Sequence, residues 1–169
     1  PAVIHASTGE TVSYKELDDR SNQLAQLMWD KGLRKNDHVA IFMENNLRYF
    51  EVMWAALRSG LYITTVNRYL TDEEAGYIVD NCEAKVFIAS ALVKPVVHSL
   101  EDRIQKVLHS FMVDGDAPGF LDFEVALEAF PETPIADQSE GALMPYSSGT
   151  TGFPKGITRP LPKEAYGNG

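Results

Sequence analysis

The 169-residue chain is poor in several things that whole classes of protein require. A single cysteine, Cys82, excludes an internal disulfide framework and fits a reducing compartment. No apolar run approaches the roughly 18 residues of a membrane span. No secretory signal opens the chain, and Pro1 in place of methionine points to processed ends. Positive charge is short, with 15 Lys and Arg against 24 Asp and Glu, so the net charge of −9 argues against a nucleic-acid-binding face. The four histidines, His5, His38, His98 and His109, are scattered without metal-ligand spacing and read as surface or strand-edge residues. There is no internal repeat and no low-complexity segment. The expectation is a cytoplasmic globular protein, with 44% hydrophobic residues to build a substantial core.

What is present alternates between strand and helix signals. Ser13-x-x-Glu16 is a capping box that starts a helix, and Tyr14, Leu17, Ser21, Leu24, Ala25 and Met28 share one face of it. Gly32 is placed to end that helix in the left-handed conformation. Residues 39–43 form a continuous apolar run, the mark of a strand covered on both faces. Residues 47–59, closed by Gly60, are apolar around much of their circumference and predict a buried helix. The β-branched run 61–66 predicts the next strand. Thr71-x-x-Glu74 is a second capping box, followed by Ala75, Ile78, Val79 and Cys82 at helical spacing; Cys82 reads as a small buried hydrophobe. Residues 86–89 predict a third strand, 92–101 a helix with Pro95 in its first turn, and 106–113 a strand ending at Asp114-Gly115-Asp116. Residues 121–130 predict a helix, 131–141 an acidic, proline-containing connector, and 143–146 a strand that Pro145 confines to an edge or a strand end. Trp29 and Trp54 read as core or interface residues on helices, and the pair Asp18-Asp19 as complementing a helix N-terminal turn. The alternation implies an α/β fold: a doubly wound, largely parallel sheet with flanking helices and right-handed crossovers.

The densest chemistry lies in Tyr146-Ser147-Ser148-Gly149-Thr150-Thr151-Gly152-Phe153-Pro154-Lys155-Gly156. Ser147, Ser148, Thr150 and Thr151 offer hydroxyls, while Gly149, Gly152 and Gly156 let the backbone turn tightly and approach a ligand. Successive N–H groups in such a turn form an anion-binding concavity, and Lys155 adds a flexible charge behind the stiff Pro154. The donor set suits a polyphosphate. Without an ordered Ser-His-Asp set, Ser147 and Ser148 read as donors, not nucleophiles. Two other phosphate motifs fail on spacing. Counting from Gly149, a G-x-x-x-x-G-K-[ST] loop would need glycine where Pro154 stands and a hydroxyl where Gly156 stands. No G-x-G-x-x-G triplet occurs.

Ser148 to Gly156 resembles, without a gap, the S-G-T-T-G-x-P-K-G phosphate loop of the adenylate-forming superfamily, which includes acyl-CoA synthetases, aryl-CoA ligases, luciferases and peptide-synthetase adenylation domains. The resemblance extends upstream through Thr11–Asn22, through 38–67 with Ala55-Ala56-Leu57-Arg58-Ser59-Gly60, and through Leu70-Thr71-Asp72-Glu73-Glu74 and Ala84-Lys85-Val86-Phe87-Ile88. It implies that residues 1–145 are an α/β subdomain of the N-terminal AMP-binding domain, 146–157 its phosphate-binding loop, and 158–169 a truncated continuation or tail. It further implies ATP and Mg2+ as cofactors, a carboxylic acid (fatty or aryl) as substrate and coenzyme A as co-substrate of the parent enzyme. Ser147, Ser148, Gly149, Thr150, Thr151, Gly152 and Lys155 would bind the ATP phosphates, with Thr150 touching the magnesium ion. The catalytic residues, the adenine and ribose contacts and the acidic metal ligand would all lie downstream. Because the sequence ends thirteen residues after Gly156, the resemblance makes the chain the N-terminal part of a larger enzyme, inactive alone and prone to self-association through uncovered edges. The segment after Lys155-Gly156 departs from the common K-G-V plus histidine pattern and is similar to a subset of bacterial acyl-CoA synthetases. A non-catalytic binding remnant and part of a peptide-synthetase adenylation domain are the alternatives.

Overall fold

Local signals in the chain set the helix ends, as a computed structural model covering residues 1–100, 102–147 and 152–163 shows. Helix α1 (Tyr14–Asp30) starts where the Ser13 hydroxyl accepts the Glu16 amide at 3.1 Å. It stops at Gly32, whose φ of 87° a side chain would resist. The Gly32 and Leu33 amides donate to the Trp29 and Met28 carbonyls, each at 3.0 Å, which satisfies the last turn in a Schellman motif. Ahead of it, β1 (Val3–Ile4) and β2 (Thr11–Val12) form a small antiparallel pair.

The body then runs β3 (His38–Phe42), α2 (Arg48–Arg58), β4 (Tyr62–Val66), α3 (Asp72–Asn81), β5 (Ala84–Ser90), a 3-10 turn (Ala91–Val93) leading into α4 (Lys94–Val97), β6 (His109–Val113), β7 (Leu121–Asp122), α5 (Phe123–Glu128) and β8 (Ala142–Leu143). A last pair, β9 (Tyr146–Ser147) and β10 (Lys155–Gly156), stands apart. Six strands form one parallel sheet in the order β7-β6-β5-β3-β4-β8. The β3–β4 crossover travels one way along the sheet, and the next three connections travel the other way. Crossovers of one hand must then place their helices on opposite faces. Indeed α2 packs on one face with α1 and α5, against Val39, Ile41, Val86 and Ile88. Helices α3 and α4 pack on the other, against Ala40, Phe42, Phe87 and Ala89. Alternate residues of the same strands therefore feed two cores, as the continuous apolar runs predict.

Several elements differ from expectation. Residues 121–130 split into strand β7 and a six-residue helix, because the Asp122 carboxylate accepts the Val125 amide at 2.8 Å and starts the helix late. The helix expected over 92–101 is confined to Lys94–Val97, with Pro95 in its first turn; Glu101 lies outside the described residues. Helix α2 is not buried all round: Phe50 and Trp54 are exposed, while Glu51 is completely buried. Glu51 is held by Arg20 at 2.7 Å and Arg48 at 2.8 Å, and both arginines also reach Glu124 of α5, so the network ties α1, α2 and α5 together. Asp18 and Asp19 pair elsewhere than with the helix terminus. Asp19 binds Lys15 one turn back, and Asp18 accepts Arg58 at 2.7 Å, bridging α1 to α2. Cys82 is buried as expected, and burial pushes its thiol up to about 11, which makes it a packing residue rather than a nucleophile.

Thr71 closes both halves of its capping box: its hydroxyl accepts the Glu74 amide at 3.3 Å and its own amide donates to the Glu74 carboxylate at 3.0 Å. These bonds hold the Glu74 carboxyl below the usual range. Among the described residues no helix is long and apolar enough to cross a membrane.

Candidate functional site

Pro145 divides the segment expected to be one strand. Upstream, Ala142 and Leu143 extend the sheet beside Tyr62 and Ile63, and the Met144 amide still donates to the Ile63 carbonyl at 2.9 Å. Pro145 has no N–H to continue the ladder. The chain then leaves the sheet as β9, which pairs antiparallel with β10 through Tyr146 opposite Gly156 and Ser147 opposite Lys155. The Ile157 amide donates to the Pro145 carbonyl at 2.9 Å and closes the base of this hairpin.

This register decides what the expected phosphate-binding residues can do. Directly opposed residues of an antiparallel pair project to the same face, and the next pair projects to the other. Ser147 and Lys155 therefore share one face, and both are exposed. Tyr146 and Gly156 share the inward face. A Cβ on Gly156 would stand within 3.0 Å of the tip of the Met144 side chain, so this glycine also lets its own chain pack closely. Gly152 is exposed, and nothing lies within 4 Å of where its Cβ would stand, which leaves the backbone open to a ligand there. Ser148, Gly149, Thr150 and Thr151 lie outside the described residues.

Helix α3 carries the hairpin. The Tyr146 hydroxyl donates to Asn81 Oδ1 at 2.7 Å, and the Phe153 ring packs on Tyr77 with centroids 4.7 Å apart and planes at 30°. Burial raises the Tyr146 hydroxyl well above its ordinary value, which keeps it a donor. Neither Tyr77 nor Asn81 stood out in the sequence; a capped helix separated from the loop by four strands carries no signal of what docks on it. Beyond the hairpin, 158–163 lies back on the body: Tyr62 donates to the Arg159 carbonyl at 2.6 Å and Lys35 to the Pro162 carbonyl at 2.7 Å.

Charge near the hairpin is mostly cancelled. A groove of about 400 Å³ runs beside Phe153, bounded by Glu73, Tyr77, Asp80, Asn81, Arg103 and Lys106. Lys106 lies 3.6 Å from Asp80 and 3.5 Å from Glu83, and Arg103 lies 3.9 Å from Asp72. Lys155, by contrast, makes no ion pair with a described residue. In a chain of net charge −9, any attraction for a polyphosphate would have to be local, at the hairpin itself. Hydroxyls, amides and one ammonium fit such an anion. They do not make a metal cage, and no group of three or more His, Cys, Asp or Glu among the described residues could hold a metal ion.

A second polar cluster lies at the carboxyl ends of β3, β5 and β6, where the strand order reverses. Ser90 donates to Glu44, and Asn46 donates to Asp114 at 2.7 Å and to Glu44 at 3.1 Å. Burial works against ionisation of Glu44, but these hydrogen bonds outweigh it and leave the carboxyl below its ordinary range. The hairpin does not lie in this crevice: β3 and β4 separate it from the reversal.

Known proteins resemble the chain over nearly its whole length. The family profile described as AMP-binding enzyme matches residues 1–160. A long-chain-fatty-acid–CoA ligase of Thermus thermophilus is 28% identical, over 91% of this chain and 29% of its own. A 3-oxocholest-4-en-26-oate–CoA ligase of Rhodococcus rhodochrous is 32% identical, over 92% of this chain and 29% of its own. The crystal structure of the anthranilate CoA ligase AuaEII in complex with anthranoyl-AMP superposes with a TM-score of 0.82 at 25% identity, covering 89% of this chain and 30% of that one. The chain thus spans about 29% of the length of the curated relatives it matches.

Proposed function

The chain belongs to the AMP-binding enzyme family, and from that premise we propose that it supplies the phosphate-gripping part of an ATP-dependent acid–thiol ligase. In such a reaction a carboxylate oxygen attacks the α-phosphorus of ATP and pyrophosphate leaves, giving an acyl-adenylate. A thiol, that of coenzyme A, then attacks the acyl carbon and AMP leaves with its electron pair. Ser147, Ser148, Thr150 and Thr151 donate to the β- and γ-phosphates through hydroxyls and amides. Gly149 and Gly152 let the backbone come close, and Lys155 neutralises charge on the departing pyrophosphate. Donors fixed in place before the reaction stabilise charge as it develops. Magnesium, when bound with ATP, would screen the same oxygens, and the Thr150 hydroxyl is the group of this loop that would touch it.

The observation that carries this reading is the β9–β10 register, which pairs Ser147 with Lys155 on one exposed face. Titration of the chain with ATP and with pyrophosphate tests it. Binding that Lys155→Ala abolishes or weakens at least about tenfold supports the grip, since a charge-assisted contact is worth roughly 1.5–3 kcal/mol. Equal binding by wild type and variant would falsify it. For residues 1–169 alone we expect no acid-dependent pyrophosphate exchange, and exchange at a ligase's rate would overturn that expectation.

A further inference from the structure

A two-residue pair of strands has too few contacts to hold itself in place in water. Something outside the β9–β10 hairpin must orient it, and α3 touches both of its limbs. Asn81 accepts from Tyr146 on the incoming limb, and Tyr77 meets Phe153 on the outgoing one. Tyr77 and Asn81 are four residues apart on one helix and so lie on the same face. Phe153 is 61% exposed, so burial alone gives no account of a large apolar ring at this position, whereas its stacking on Tyr77 does. Between that ring and Lys155 stands only Pro154, whose fixed φ transmits the ring's position to the next residue.

We infer that Tyr77 and Asn81 are positioning residues: α3 is a two-point clamp that aims the Ser147–Lys155 face of the hairpin at a polyphosphate. The clamp rests on the phosphate-binding reading above, and it adds residues that touch no substrate. Asn81 fixes where the loop begins, and Tyr77 fixes where Lys155 ends up. The capping box at Thr71 supports the clamp in turn, because it fixes the start of the helix on which both residues ride.

Inorganic tripolyphosphate, titrated into the isotopically labelled chain and followed by amide chemical shifts, tests the clamp without any need for turnover. Wild type is expected to bind. Tyr77→Ala and Phe153→Ala should each weaken binding about three- to tenfold, the range an aromatic pair supports. Tyr77→Phe, which keeps the ring, should bind like wild type. The double variant Tyr77→Ala/Phe153→Ala should be no weaker than either single one, because the two act through one contact. The melting temperature of Phe153→Ala should match wild type, which separates aiming from folding. Wild-type binding that neither alanine variant changes, or strictly additive losses, would overturn the clamp and leave the phosphate grip standing. Absence of wild-type binding would overturn both.

Discussion

In β5 every residue except Lys85 is buried, and strands on both sides pair along it for five positions each. In the β9–β10 hairpin two residue pairs meet, and Ser147, Gly152, Phe153 and Lys155 are all exposed. The sheet is thus built so that removing any one side chain leaves a hole or an orphaned charge. The hairpin is built so that its chemistry faces outward and its place is set by a few contacts to α3. A sheet held by many contacts and a hairpin held by a few would divide the work of folding from the work of binding. The division makes a sharp statement: substitutions in the body should change stability, and substitutions on the outer face of the hairpin should change binding.

The largest effect tests the body. Glu51 is completely buried between Arg20 and Arg48, so Glu51→Ala leaves two partly buried guanidinium groups with only the partly exposed Glu124 to share. Breaking a buried pair on one side costs about 3–5 kcal/mol when the remaining charge has no other partner, and Glu124 places the loss here at the lower end, about 3 kcal/mol. Urea denaturation should show a loss of that size, enough to unfold a marginal domain. A loss below about 1 kcal/mol would mean that water reaches the network and that this part of the body is no stiffer than the hairpin.

A smaller effect is expected at the joint between the two regions. A Cβ on Gly141 would stand within 3.0 Å of the Leu61 and Ala56 carbonyl oxygens, and backbone cannot swing aside as a side-chain tip can. Gly141→Ala should push β8 away from β4 at a cost of roughly 1–3 kcal/mol. Because β8 leads directly into β9, this variant should weaken tripolyphosphate binding as well as stability. Retained affinity alongside lost stability would show that α3, rather than the end of the sheet, sets the hairpin's position.

Much of the body could be read from residues that act locally. Ser13, Gly32 and Thr71 each fix a helix end through their own hydrogen bonds or φ, and the apolar runs at 39–43 and 86–89 specify strands covered on both faces. The doubly wound, largely parallel sheet followed from alternation, whereas the order of its strands is set by pairing between distant segments. What escaped was nonlocal. Glu51 sits on a helix whose composition is apolar around much of its circumference, and of its two partners Arg48 is one turn upstream while Arg20 is 31 residues upstream on another helix. Asp18 looked like a helix-terminus residue because its partner, Arg58, is 40 residues away. At the candidate site the composition of the loop was legible, as was the limit Pro145 sets on pairing. At Gly156, a glycine that admits a ligand and a glycine that admits a methionine look the same in sequence.

The smallest effect separates the regions by pH. His38 opens β3, stacks on Tyr62 with centroids 4.8 Å apart, and has a buried Nδ1 without a hydrogen-bond partner among the described residues. Burial lowers its affinity for a proton; Glu83 and Asp37 pull the other way without cancelling the shift, and Lys85 adds to it. Below its ordinary value of 6.5 the unfolded chain therefore binds a proton that the folded chain still refuses. The unfolded state then holds more protons, so stability is full above about pH 6.5 and declines as pH falls toward the folded value. Glu44, held below its ordinary 4.5, loses its own contribution only under still more acidic conditions. Burial pushes Tyr146 in the hairpin upward, away from this window, so a loss between pH 7.5 and 5.5 reports on the body. His38→Phe keeps a ring against Tyr62 and removes the titration, so its urea midpoint should fall less across that interval than wild type's. Equal slopes for the two proteins would place the acid sensitivity elsewhere and would deny β3 the rigid, dry surroundings that set it apart from the hairpin.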